Sequence, residues 1–430
     1  MVLRAMYSGV SGLRAEGEAL GVVGDNIANV NTTGFKGQRV LFSDVLGHSI
    51  LAGTTSSLPG SGVRVADVQQ MFTQGALTAT GISTDMALNG DGFFVVQGNV
   101  EGITGNFYTR AGEFKVDANG MLVNTAGLEV QGYEALPDGT YAAAPTSIQV
   151  PTSSIEPHAT ENASVVANLD AAEAVPTAAW DDQDPTATSN FSTSITVYDS
   201  LGQSHTMDVY FRKTAANAWE FHALVSGDET NPAVPGQNVE VGTGTLTFDT
   251  EGVLTATTGT TATVDFAGAT AGQAITLDFG TSTGAGGTGL DGITQFASPS
   301  NVSSQGQDGY ASGDFTGLAV DGQGVVMGLY TNGQKLAIAQ LTIAKFQSNE
   351  GLGRAGGNLW IETRDSGNAA MGTAGSGGRG AVSGGALESS NVDLAEQFVE
   401  MIRHQRSFSA NSKTITTADE MLQELINIKR

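Results

Sequence analysis

The last forty residues constrain the fold most. From Asn391 to Arg430 the chain has neither glycine nor proline, the two residues that most often end a helix. Steps of four and three pick out Leu394, Phe398, Met401, Phe408, Ile415, Leu422 and Ile426 as one apolar stripe. Gln405, Ser412 and Asp419 are set into the same stripe, so the seam is partly polar. Ser390 followed by Asp393 resembles a capping box, and Lys429 and Arg430 suit the negative end of the helix dipole. A helix of ~40 residues would run ~60 Å. That is too long to fold back into a compact domain and suits a coiled coil.

A second helix is expected at the other end, over residues 1–31. Met6, Val10, Leu13, Leu20 and Ile27 fall at heptad-like spacing with no proline among them. Gly9, Gly12, Gly17, Gly21 and Gly24 each cost about 1 kcal/mol relative to alanine in a helix interior. Such a helix is marginal alone and makes sense when its glycines let a partner helix come close. The expectation is that the terminal helices, 1–31 and 389–430, pair as a coiled coil and drive polymerisation.

Between them the chain reads as β-structure. Residues 32–75 form an extended connector in which Val63, Val65 and Val68 hint at a strand. In 76–150 and 300–365, Asn89-Gly90-Asp91-Gly92 precedes Phe93–Val96, and Asp117-Ala118-Asn119-Gly120 separates two short strands. Thr331-Asn332-Gly333 joins two apolar runs, the signal of a hairpin with a type I′ turn. Residues 151–298 differ in composition, with eighteen acidic residues against Arg212 and Lys213. Alternation in Ile195–Tyr198 and Met207–Phe211 marks this insertion as an independent all-β domain. The flanking blocks then make one discontinuous β-rich domain. The Gly- and Ser-rich stretch 366–388 reads as a flexible connector. The fold class is α+β, mainly β, with nested β-domains between two long helices.

Chemistry is hard to find. There is no cysteine, hence no disulfide or thiolate site. A net charge of −25 argues against nucleic acid and anionic membrane surfaces as partners. No apolar run reaches the ~18 residues of a membrane span, and Arg14, Glu16, Glu18 and Asp25 interrupt any signal-peptide core. An exported chain of this kind needs another route. The histidines His48, His158, His205, His222 and His404 have no metal-ligand spacing. Gly351–Gly356 spells G-x-G-x-x-G, but no helix is expected after it. Gly286–Thr294 fits a calcium nonapeptide in a single copy, whereas that motif works in stacked repeats. Asp181, Asp182 and Asp184 lack the glycine and spaced glutamate of a calcium loop. No catalytic, cofactor or metal site is assigned.

The segment NIANVNTTGFK, with Asn26, Ile27, Ala28, Asn29, Gly34, Phe35 and Lys36, closely resembles the signature of bacterial flagellar rod and hook proteins. Ser389–Ile415 is similar to that family's C-terminal helix, and Asp85–Val96 with Phe107–Tyr133 to its first β-domain. Ile195–Phe211 resembles the outer β-domain that hook members have and rod members lack. The resemblance implies a subunit that polymerises with itself into a curved tube, a universal joint passing torque from rod to filament. It also implies contacts with a distal rod protein, a hook cap protein, a hook–filament junction protein and the flagellar type III export apparatus. The location implied is the hook, outside the cell, reached without a cleaved signal peptide. The cysteine-dependent crosslink of spirochaete members has no donor here. Two rivals remain, a distal rod subunit and a secreted β-rich adhesin.

Overall fold

Two helices stand at the ends of the described chain, Val2–Ala28 and Leu394–Ile428 (the N-helix and C-helix). The computed structural model describes residues 2–46, 60–136 and 139–428, so His48, Lys429 and Arg430 lie outside the described residues. With 35 residues the C-helix runs ~52 Å. Its start differs from the expected capping box. Asp393 itself caps, its Oδ1 accepting from the Ala395 and Glu396 N–H groups at 2.8 and 3.3 Å. Ser390 lies too early because Asn391 is held outside the helix. Its Oδ1 accepts from the Gly37 N–H at 2.7 Å, and its amide donates to Met71 O at 2.8 Å.

The terminal unit comprises Met1–Thr152, Gly317–Leu329 and Lys335–Arg430. The expected connector 32–75 contains a long antiparallel hairpin, Gln38–Leu46 with Gly60–Gln70. A large sheet carries the core, with neighbouring strands Lys335–Lys345, Glu129–Glu134, Phe93–Val100, Ile103–Thr109, Leu359–Ile361 and Gly353–Gly356. Phe93, Phe94, Val95 and Val96 are all buried, so this strand is covered on both faces and reads as an unbroken apolar run. Phe93 meets Trp360 at 5.4 Å, Tyr108 meets Phe346 at 4.7 Å, and Phe94 meets Phe114 edge-on at 5.3 Å. The end of G-x-G-x-x-G is a strand, Gly353–Gly356, paired with Leu359–Ile361.

Two sequence expectations need correction here. Residues 366–388 are not a flexible connector. They hold the strands Ala370–Thr373, Ala381–Gly384 and Ala386–Glu388, paired with Lys335–Lys345, Met86–Asn89 and Leu77–Ala79. These strands are only three or four residues long and mostly built from small side chains, so they leave almost no hydropathy pattern. The turn at Asn332-Gly333 is not type I′. Only Gly333 has positive φ, at 82°. Gly333 N–H donates to Tyr330 O and Tyr330 N–H to Gln334 O, a type I turn closed by a glycine bulge.

The inserted unit comprises Ser153–Thr316 and Tyr330–Gln334. One sheet is an antiparallel meander of five strands, Phe191–Tyr198, Ser204–Ala215, Ala218–Ser226, Asn238–Phe248 and Leu254–Thr258. The other orders Thr261–Val264, Gln273–Asp278, Asn162–Asn168 and Asn301–Gln307. Inward residues of both, including Val165, Val197, Met207, Val209, Phe211, Trp219, Phe221, Ile275 and Phe279, form one core. Asn301–Gln307 therefore belongs with the insertion, whose expected end was residue 298. Its sequence, NVSSQGQ, is mostly exposed and polar, so only its pairing with Asn162–Asn168 reveals the membership. Within Gly286–Thr294, the Asp291 carboxylate accepts from the Thr281 N–H at 2.9 Å, a contact that holds it below the usual carboxylate range.

Candidate assembly surface at the terminal helices

The signature Asn26–Lys36 lies where the N-helix ends, and several of its residues tie separate parts of the terminal unit together. Asn26 is buried. Its amide donates to Gln38 O at 2.8 Å and to Gln397 Oε1 at 3.0 Å, and its Oδ1 accepts from the Gln38 N–H at 2.9 Å. One side chain thus joins the N-helix, the hairpin and the C-helix. Asn29 donates to Asp25 O at 2.9 Å, closing the helix end. Ile27 is half-buried and Ala28 exposed. Gly34 has φ +66°, and a Cβ there would stand 2.5 Å from Ala111 N, so only glycine fits. Phe35 beside it is buried.

Lys36 ends the signature inside the protein, 1% exposed. Its ammonium donates to Glu388 Oε1 at 2.6 Å and to Thr73 O at 2.7 Å. The other oxygen of Glu388, itself fully buried, accepts from Arg110 at 3.2 Å, and the Gly75 N–H adds a bond to Oε1 at 2.9 Å. Burial pushes Lys36 below the ordinary lysine value and Arg110 below that of arginine, while Glu388 pulls both back up. Glu388, Arg110, Asn391 and Gln397 were missed by sequence reading. Nothing in the sequence around Lys36 marks it as buried, so no local signal pointed to its partner 352 positions further on.

The two helices pair antiparallel. Gly9 faces Ile415, Gly12 faces Asn411, Glu16 meets His404 and Asn26 meets Gln397. The seam is not the apolar heptad expected. On the N-helix it is buried at Gly9, Gly12, Ala15, Ala19, Val23 and Asn26. On the C-helix Gln397, His404 and Ala418 are buried, with Asn411 half-buried on the same line. A Cβ on Gly9 would stand 2.8 Å from Ile415 and one on Gly12 2.6 Å from Asn411, so the absent side chains set the helix spacing. Gly17, Gly21 and Gly24 face open space. Small residues let the axes approach, and that turns the larger apolar groups to the flanks. Met6, Leu13, Leu20, Ile27, Met401, Ile415 and Leu422 are half-buried. Val10, Leu394, Phe398, Phe408 and Ile426 are exposed, and so are Tyr7, Val399, Ile402 and Met421, which the expected stripe did not include. Phe398 is 50% and Val399 65% exposed.

Four family models match the chain. They are the flagellar basal body rod protein model at 6–36, the flagellar hook protein FlgE/F/G D1 domain at 87–167, the flagellar basal body protein FlaE D2 domain at 168–310, and the flagellar basal body rod FlgEFG protein C-terminal model at 383–428. The flagellar hook protein FlgE of Escherichia coli strain K12 is 36% identical over 428 residues, covering 99% of this chain and 100% of that one. The chain belongs to the flagellar hook protein family. The FlgE hook protein of Treponema pallidum strain Nichols is also 36% identical, with all of both chains covered. A crystal structure of Helicobacter pylori FlgE2 shares the fold, with a TM-score of 0.53 at 16% identity over 73% of this chain. Hook family membership makes this a structural subunit, and the family implies self-assembly within the hook. The two end models meet at the node just described. One includes Asn26 and Lys36, the other Glu388 and Gln397.

Proposed function

We propose that this hook subunit polymerises through the exposed apolar flank of its paired terminal helices, building a curved tube that works as a universal joint between rod and filament. The carrying observation is the row Leu394, Phe398, Val399 and Ile402, exposed although apolar, beside a seam already filled by small and polar groups. Contiguous apolar surface on a soluble chain marks a site of association. The subunit acts mechanically. Its neighbours in the flagellum would be the distal rod, hook cap and hook–filament junction proteins, and export would run through the flagellar type III apparatus. Electron microscopy of concentrated purified protein tests the reading. Curved tubes are expected. Straight tubes would make it a distal rod subunit, and the absence of any polymer would favour an adhesin.

A further inference from the structure

The paired terminal helices have two unlike flanks. Successive residues of a helix turn by roughly 100°, so the inward line of Gln397, His404 and Asn411 divides the C-helix surface in two. On one side stand Glu396, Glu400 and Arg403, which wall a groove of about 290 Å³ shared with the N-helix and the hairpin. Val22 of the N-helix and Val40 and Phe42 of the hairpin line the same groove. On the other side stand Leu394, Met401 and Phe408, with Phe398 further round. Leu13 and Leu20 of the N-helix turn to that side as well. Leu394, Phe398 and Phe408 are exposed there. One flank is thus bare and apolar, and the other is roofed by the hairpin except at the groove.

A chain that grows into a polymer has to join unlike surfaces. A flank laid against its own kind closes at a dimer, whereas one flank laid on the other repeats head to tail and builds a ring or a helix. Both halves of such a contact are present. The bare flank carries no charge between Leu394 and Phe408, and Phe398 is its aromatic knob. The groove has apolar walls, and its rim carries the guanidinium groups of Arg39 and Arg403. Guanidinium groups are drawn to the face of an aromatic ring, and Phe42 offers a second ring to pack against. Arg403 already pairs with Glu400. A neutral ring leaves that pair whole, while a charged side chain would compete with it. We propose that Phe398 of one copy seats in the groove of the next, so that the tube closes by laying the bare flank of each subunit on the hairpin flank of its neighbour.

This inference rests on the assembly reading above, and one experiment separates the two. A photoreactive benzophenone amino acid replaces Phe398 in the full-length protein, keeping an aromatic ring at that position. Tubes are grown and irradiated, and the covalent dimer is digested and mapped by mass spectrometry. The expected product joins position 398 to residues 19–23 or 40–42 of a second copy. Tubes that yield no covalent dimer, or a dimer joined to residues 394–408 or to any other segment, overturn the groove as the partner surface. If the labelled protein does not polymerise, Val22→Glu carries the test. It places a charge in the groove wall, away from the inward line. The unpolymerised concentration should rise by at least about tenfold with thermal unfolding unchanged, and tubes forming at the wild-type concentration overturn the proposal. Wild-type protein that never sediments as tubes overturns the assembly reading itself.

Discussion

Glu388 ties separate parts of the terminal unit together, because one fully buried carboxylate pairs with both Lys36 and Arg110. Glu388→Gln keeps the shape but leaves two buried cations without a counter-charge. Removing one partner of a buried pair costs about 3–5 kcal/mol, so urea unfolding of the terminal unit should move by that amount while the inserted unit unfolds as before. Tyr108 offers a test by pH. Burial first, and Glu362 second, push its phenol up to about 12. An unfolded tyrosine titrates near ~10, so the folded form keeps its proton where the unfolded form has lost it. That contribution is complete below pH ~10 and disappears as pH rises through about 12. Burial also raises Tyr210 and Tyr330, so phenolate absorbance should lose one of several late-titrating tyrosines in Tyr108→Phe, whose unfolding should depend less on pH in that window.

At the scale of elements, the exposed row on the C-helix separates two substitutions that the sequence alone treats alike. Phe398→Asp places a charge on an exposed flank and should leave unfolding of both units unchanged. It should still abolish tubes, because a charge buried unpaired at each contact costs several kcal/mol. Sedimentation beside thermal unfolding checks this, and normal polymer would remove Phe398 from the interface. Ile415→Asp acts differently. Ile415 packs on Gly9, so the intramolecular helix pair is lost as well. Both helices were legible because no proline breaks either stretch and apolar residues recur in each at helical spacing. The inward face was not, since Gly9, Gly12, Ala15 and Ala19 carry little hydropathy and the eye follows Leu13 and Leu20 instead. The β-strands of 366–388 and Asn301–Gln307 were hidden for a related reason. Each is fixed by a partner strand far away in sequence, and its own side chains say little. The signature was visible at once, but its physical purpose depends on Glu388 and Gln397, more than 300 residues away.

Charge decides behaviour at the scale of the whole molecule. The inserted unit holds twenty acidic residues against Arg212 and Lys213, and both bases are engaged internally. Lys213 donates to Ala171 O and Glu173 O, and Arg212 donates to Ala178 O. Neighbouring inserted units in a tube therefore repel over ~10 Å at 0.1 M salt. Tight apolar contacts would lock one geometry, whereas repulsion leaves the spacing adjustable. Tubes imaged between about 10 mM and 1 M salt, where screening shortens from ~30 to ~3 Å, should change in pitch or radius. Unchanged curvature would exclude electrostatic control.

The bonds at Glu388 also decide how the subunit bears a pull. Tension along the C-helix reaches Glu388 six residues before Leu394, and tension along the N-helix reaches Lys36 eight residues after Ala28. The two arrive at one point, since Lys36, Arg110 and the Gly75 N–H bind the carboxylate and the Gly34 N–H binds the carbonyl at 2.7 Å. A ladder of strands tugged at its end unzips rung by rung. Two of these bonds, from Lys36 and Gly34, join the two segments directly; loaded side by side, they have to fail together, and the joint resists like a rivet.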